Sequence, residues 1–213
     1  PLGKPLSIEV FPGDTQDLST FASQVRKVAG RFGQGEVVFV GDRGMIKEPQ
    51  MKDLASHGFH HITALTKPQI ESLLRAGVLQ MSLFDESLAE VISQDGHRYV
   101  LRRNPVRARE IERSRKDKLA SLEKAIHQYN QYLKEHLRAK VEVGQRILKE
   151  KAQQLRISDW ICLEVNQRQF SVKVNSGALA EVSKLDGCYA LKTDLPSTLA
   201  NREMVHDRYK DLT

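Results

Sequence analysis

A chain of 213 residues, 40% hydrophobic and 28% charged, has room for one medium domain or a core with an insertion, and its composition excludes wholesale disorder. The net charge of +6 favours a polyanionic partner such as DNA, RNA or an anionic surface. Without a signal peptide or a long apolar span, the chain reads as cytoplasmic with no membrane partner.

Residues Pro5 to Phe11 alternate as a strand, closed by a Pro12-Gly13 turn. Asp14, Thr15 and Asp17 offer N-caps for a helix with Leu18, Phe21, Val25 and Val28 on one face, ended by Gly30 and Gly33. The apolar run Val37 to Val40 predicts a buried, parallel strand leading to Asp42. A helix follows from about Glu48 to Ser56, with Met51, Leu54 and Ala55 inward and Gly58 as C-cap. Next come a strand at His60 to Leu65 and a helix from Pro68 to Ala76, where proline suits the first turn. This alternation predicts an α/β sheet with parallel pairs.

After Gly77 the rhythm changes. Leu88 to Ser93 and His97 to Arg103 predict a hairpin around Gln94-Asp95-Gly96. From Pro105 to about Leu155 the chain is helical and highly charged, with a seam of Leu119, Leu122, Ile126, Tyr129 and Leu133. That seam spans too few heptads for a free-standing zipper and so predicts packing within the molecule, with Val141 to Leu155 as the return arm. Strands are expected at Trp160–Val165, Phe170–Val174, Leu179–Lys184 and Cys188–Lys192, and a last helix from near Thr198. Cys162 and Cys188 sit in these apolar runs without Cys-x-x-Cys spacing, which predicts small buried hydrophobes in a reducing compartment.

Asp42 and the Arg43-Gly44 turn stand at the carboxyl end of a predicted parallel strand, the edge of an open α/β sheet where ligands and catalytic groups collect. Aspartate also suits such a turn without any chemistry. Arg43 suits a phosphate contact or a surface ion pair equally. The basic stretch of Arg102, Arg103, Arg107, Arg109, Arg113, Arg115, Lys116 and Lys118 is interleaved with acids, so it reads as a solvated helix face or as a DNA track. His57, His60 and His61 lack further ligands at metal-site spacing and read as structural; Trp160 reads as core.

Three motifs in order carry a resemblance. Residues 5–15 (PLSIEVFPGDT), 38–45 (VFVGDRGM) and 185–193 (LDGCYALKT) resemble bacterial insertion-sequence transposases of the DDE type. Arg208 to Thr213 (RYKDLT) is similar to the start of that family's Tyr-x-x-Arg-x-x-x-Glu-x-x-x-x-x-x-Lys signature. The resemblance implies a partial RNase H-like core, a mixed sheet flanked by helices, with an inserted β-hairpin and long helical hairpin. On that reading residues 1–76 are core, 77–193 the insertion with its arm at about 105–156, and 194–213 the start of the final core helix.

The resemblance also implies a triad of two aspartates and a glutamate holding two divalent ions, Mg²⁺ or Mn²⁺. Asp42 matches the second aspartate; the first would precede Pro1 and the glutamate would follow Thr213, which makes the chain a piece of something longer. Tyr209 matches the signature tyrosine, which lies near bound DNA in the family, whereas Leu212 stands where the family has arginine. The implied partners are DNA at mobile-element ends and a second copy in the full-length complex. Arg43, Arg102, Arg103, Arg107, Arg109, Arg113 and Tyr209 are the candidate DNA contacts. The expected activity is metal-dependent DNA cleavage and strand transfer, absent from this chain alone. A non-enzymatic DNA-binding or assembly protein derived from a transposase is the alternative, and a structural α/β module a third.

Overall fold

The computed structural model describes residues 10, 12–13, 17–32, 37–42 and 46–212. The predicted strand at Pro5–Phe11 lies, Val10 apart, outside them, as do Asp14, Thr15, Gly33 and Arg43. The chain forms two compact units, one from Pro1–Arg102 with Tyr189–Thr213 and one from Arg103–Cys188. Among the described residues there are seven α-helices and seven strands, five of the strands in one mixed sheet.

In the first unit the elements run α1 (Asp17–Phe32), β1 (Val38–Gly41), α2 (Glu48–Ser56), β2 (His60–Ala64) and α3 (Lys67–Arg75). After these come β3 (Ala89–Ile92) and β4 (Arg98–Arg103), then, beyond the second unit, β7 (Cys188–Thr193) and α7 (Arg202–Lys210). The sheet order is β1-β2-β7-β4-β3. The expected parallel pairing holds for β1 with β2, in the register Val38↔His60 to Gly41↔Thr63. β2 pairs antiparallel with β7, and β3 with β4.

Period-two alternation gives this sheet two apolar faces. Val38, Val40, Ile62, Ala64 and Leu191 meet Val205 of α7 on one side. Val37 and Phe39 meet Val25 of α1 and Leu54 of α2 on the other. The end of α2 shows why Gly58 is required. Its φ of +73° is left-handed, and it lets Gly58 N–H donate to Ala55 O and Phe59 N–H donate to Leu54 O, both at 3.0 Å. Phe59 and Leu54, 1% and 0% exposed, then close the motif by packing together. Ala55, expected inward, is exposed, because the helix turns its Met51–Leu54 side to the sheet.

The second unit holds α4 (Pro105–Glu135), α5 (Val141–Gln154), the hairpin β5 (Ile161–Asn166) and β6 (Gln169–Val174), and α6 (Ser176–Ser183). This unit spans Arg103–Cys188, while β3, β4 and β7 hydrogen-bond into the five-stranded sheet. The leucine-tyrosine seam packs within the molecule: Leu122, Ile126 and Leu133 meet Leu148, Ala152, Trp160 and Phe170. Asn130 donates to Phe170 O at 2.8 Å and accepts from Phe170 N at 2.7 Å, tying α4 to β6.

Two expectations are overturned here. The predicted strand at 179–184 is helix α6, capped by Asn175, whose side chain accepts from Ala178 N–H. Ala178, Leu179 and Val182 reach the core cluster at helical rather than alternate spacing. Cys162 is exposed and Cys188 only partly buried. Along β5 it is Ile161 and Leu163 that face the helices, which turns Cys162 outward.

Gly144, an interruption in the predicted return arm, is a packing device. A Cβ there would fall 2.1 Å from Cε1 of Tyr129. Overpacking costs about 1–3 kcal/mol, against about 1 kcal/mol that alanine gains over glycine inside a helix. Gly144→Ala is therefore expected to lower stability, and adding Tyr129→Leu to restore part of it. Denaturant titration of the four proteins in the double-mutant cycle checks this; strictly additive effects would contradict the contact.

Candidate functional site

β1 delivers Asp42 at its carboxyl end, directly after the buried Gly41. Across from it stands α7, which begins where Asn201 Oδ1 accepts from Met204 N–H at 2.8 Å. Val205, fully buried, anchors the helix to the sheet. Tyr209, four residues on and so on the same helix face, packs its ring against that cluster. Its hydroxyl donates to Asp42 Oδ1 at 2.8 Å. Two residues 167 positions apart are thus joined. A groove of about 830 Å³ is lined by residues of the same strand and helix, Val38, Val40, Met204 and Arg208, together with Ile62 and others.

A divalent ion of the magnesium class takes carboxylate oxygens and keeps several waters. Asp42, exposed at the sheet edge, has the right donor chemistry for one ligand. Among the described residues, however, no group of three or more His, Cys, Asp or Glu could hold an ion. The described residues therefore do not make a two-ion centre, and no chemical step follows from them alone.

The other predicted residues scatter. Arg43 lies outside the described residues. Arg102 is tied into the fold: Nε donates to Glu86 O at 2.8 Å, and Nη1 lies 3.3 Å from His206 Nε2. Arg103 is exposed at the end of β4. On α4, Arg107 pairs with Glu110 at 2.8 Å, Lys116 with Glu112 at 2.6 Å, and Arg115 with Asp186. Arg109 and Arg113 are exposed on the same helix. What sequence reasoning missed is the polar set around His206; its neighbours Arg102 and Tyr189 come from strands β4 and β7, so no local spacing announces it.

Of the three histidines singled out, His57 turns to its own helix, its Nδ1 2.8 Å from Asp53 O, while His60 and His61 meet at Asp194. His60 Nδ1 lies 3.2 Å from Asp194 Oδ2, and His61 N–H donates to Oδ1 at 2.8 Å. The buried His61 ring brings Nδ1 to 3.0 Å from Oδ1. Burial alone would raise the Asp194 pKa, but the His61 ring, the His61 N–H and the His60 ring together hold it well below the ordinary carboxylate range. A depressed folded pKa means that ionised Asp194 stabilises the fold above about pH 4 and that this contribution is lost as pH falls further. Asp194→Asn is expected to lower the melting temperature at neutral pH and to flatten the loss of stability below about pH 4. Parallel acid-unfolding curves for the two proteins would contradict it.

Among the described residues, no helix is long and apolar enough to cross a membrane. No curated protein and no solved structure matches the chain. The family profile of the transposase DDE domain matches residues 1–174, a span that takes in β1, Asp42, α4 and the β5–β6 hairpin. The chain belongs to the transposase DDE domain family.

Proposed function

We propose that this chain supplies the second aspartate of a DDE transposase, Asp42, within a partial RNase H-like core that cuts and rejoins DNA at the ends of a mobile element. Membership of the family implies DNA as substrate, DNA cleavage in transposition as the general activity, and divalent metal ions as the class of cofactor. The finer reading rests on one observation, the hydrogen bond from Tyr209 to Asp42 at the carboxyl end of a strand in a parallel pair.

In this reading Asp42 is one ligand of a Mg²⁺ or Mn²⁺ pair, with its companion carboxylates outside the chain. Such ions, about 4 Å apart, stabilise the attacking and leaving oxygens of an in-line displacement. The chain's own contribution is to hold one carboxylate on a rigid sheet and to orient it with the Tyr209 hydroxyl. With one carboxylate of three, the chain alone is inert. Purified protein incubated with duplex DNA and Mg²⁺ or Mn²⁺ is expected to leave it intact; metal-dependent nicking would overturn this.

The arm of α4 and α5 is the proposed grip on the DNA, through Arg109 and Arg113 rather than the paired Arg107 or the internally tied Arg102. Each phosphate contact contributes about 0.9 to the slope of log affinity against log salt. Arg109→Ala/Arg113→Ala is expected to weaken DNA binding and to reduce that slope by about 2. An unchanged slope in a salt titration of binding would remove the arm from the interface.

A further inference from the structure

We infer that Arg102, Tyr189 and His206 form an internal brace that sets the position of α7 and thereby holds the Tyr209 hydroxyl on Asp42. The inference rests on the proposed role of Asp42 and adds three positioning residues to it.

His206 is 3% exposed, too buried for a solvated helix residue, and all of its ring chemistry is used inside the fold. Nε2 lies 2.6 Å from the Tyr189 hydroxyl and 3.3 Å from Arg102 Nη1, while Nδ1 lies 3.1 Å from Asp207 Oδ1. A guanidinium only donates, so Nε2 is the accepting nitrogen, and the ring proton sits on Nδ1, donated to Asp207. Burial pushes the Tyr189 hydroxyl pKa up, which keeps it a neutral donor toward that nitrogen. The Tyr189 and His206 rings also stack, with centroids 6.0 Å apart at 26°. Arg102 stands on β4 and is itself held by the Glu86 carbonyl at 2.8 Å, which fixes one end of the brace to the sheet.

The geometry of α7 explains why such a brace matters. The helix has nine residues, and its apolar contacts with the sheet, Val205 and the Tyr209 ring, are non-directional, so they fix its depth more firmly than its rotation. A buried polar side chain with directed partners fixes that rotation, because each orphaned partner costs about 1–3 kcal/mol. His206 follows Val205 directly, and Tyr209 stands three positions beyond it, so a turn of the helix that released His206 would carry Tyr209 off Asp42. Misplacing a catalytic group by about 1 Å costs on the order of a hundredfold in rate.

The test reads the Tyr209–Asp42 contact directly, without activity. The full chain is labelled with 3-fluorotyrosine, and the Tyr209 resonance is assigned with Tyr209→Phe. Asp42→Asn marks the position of that resonance when the contact is lost. Tyr99, buried on β4, serves as an internal control for the fold of the sheet. Tyr189→Phe and His206→Leu are expected to move the Tyr209 signal toward its Asp42→Asn position while Tyr99 stays fixed. His206→Gln, whose amide oxygen can still accept from Tyr189 and Arg102, is expected to keep it near the parent position. A Tyr209 signal unmoved in His206→Leu, or Tyr99 moving with it in every variant, would overturn the brace. A Tyr209 signal indifferent to Asp42→Asn would overturn the contact itself, and with it the brace. Nicking by the chain alone would instead overturn only its proposed inertness, leaving the brace standing.

Discussion

Gly187→Ala is expected to destabilise the second unit by about 2–5 kcal/mol, the sum of a left-handed backbone strained by a side chain and a clash that cannot relax. Gly187 has φ +72°, and a Cβ there would lie 2.3 Å from the backbone oxygen of Asn104 and 3.0 Å from Ala108. That oxygen is committed, because Ala108 N–H donates to it at 3.0 Å to open α4. Asn104 N–H donates to Gly187 O at 2.8 Å, and its side chain caps Val106 and Arg107. Moving Asn104 away would therefore break the start of a 31-residue helix. Denaturant unfolding followed through Trp160 fluorescence measures the effect, and a loss below about 1 kcal/mol would mean that the turn re-forms around the new side chain.

The second large effect concerns chemistry. On the proposed role of Asp42 as a metal ligand, Asp42→Asn in a complete transposase carrying this chain is expected to lower DNA cleavage at least about a thousandfold, the equivalent of several kcal/mol of charge stabilisation. Tyr209→Phe removes one hydrogen bond to a charged group, about 1.5–3 kcal/mol at most, and is expected to cost about ten- to a hundredfold. The order of the two variants matters as much as their size. A Tyr209 effect exceeding that of Asp42 would make the hydroxyl, rather than the carboxylate, the reacting group.

Much of the fold could be read from periodicity. Val38–Val40 and His60–Ala64 announce strands, Leu122, Ile126 and Leu133 announce a packed helix, and Gly58 and Gly96 mark turns that the structure builds with positive φ. Residues 179–184 were misread because a short apolar run carries both periods until the Asn175 cap decides between them. Cys162 was misread because apolar neighbours say nothing about which face of a hairpin is covered.

The candidate site was legible only in part. Asp42 declared itself as the end of a strand, and Tyr209 through its motif, but their hydrogen bond depends on how α7 docks on the sheet. Arg102 looked like one member of a basic run, yet period two in β4 turns it, like Val100, to the face where His206 waits. Local sequence cannot register a partner 104 residues away.

The sharpest check is a change of metal preference. Asp42→Cys in the complete enzyme replaces an oxygen ligand by a sulfur that magnesium tolerates poorly and manganese accepts more readily. Cleavage is expected to vanish with Mg²⁺ and to return in part with Mn²⁺. Full cleavage with Mg²⁺ would contradict a metal-holding Asp42, as would identical losses with both ions.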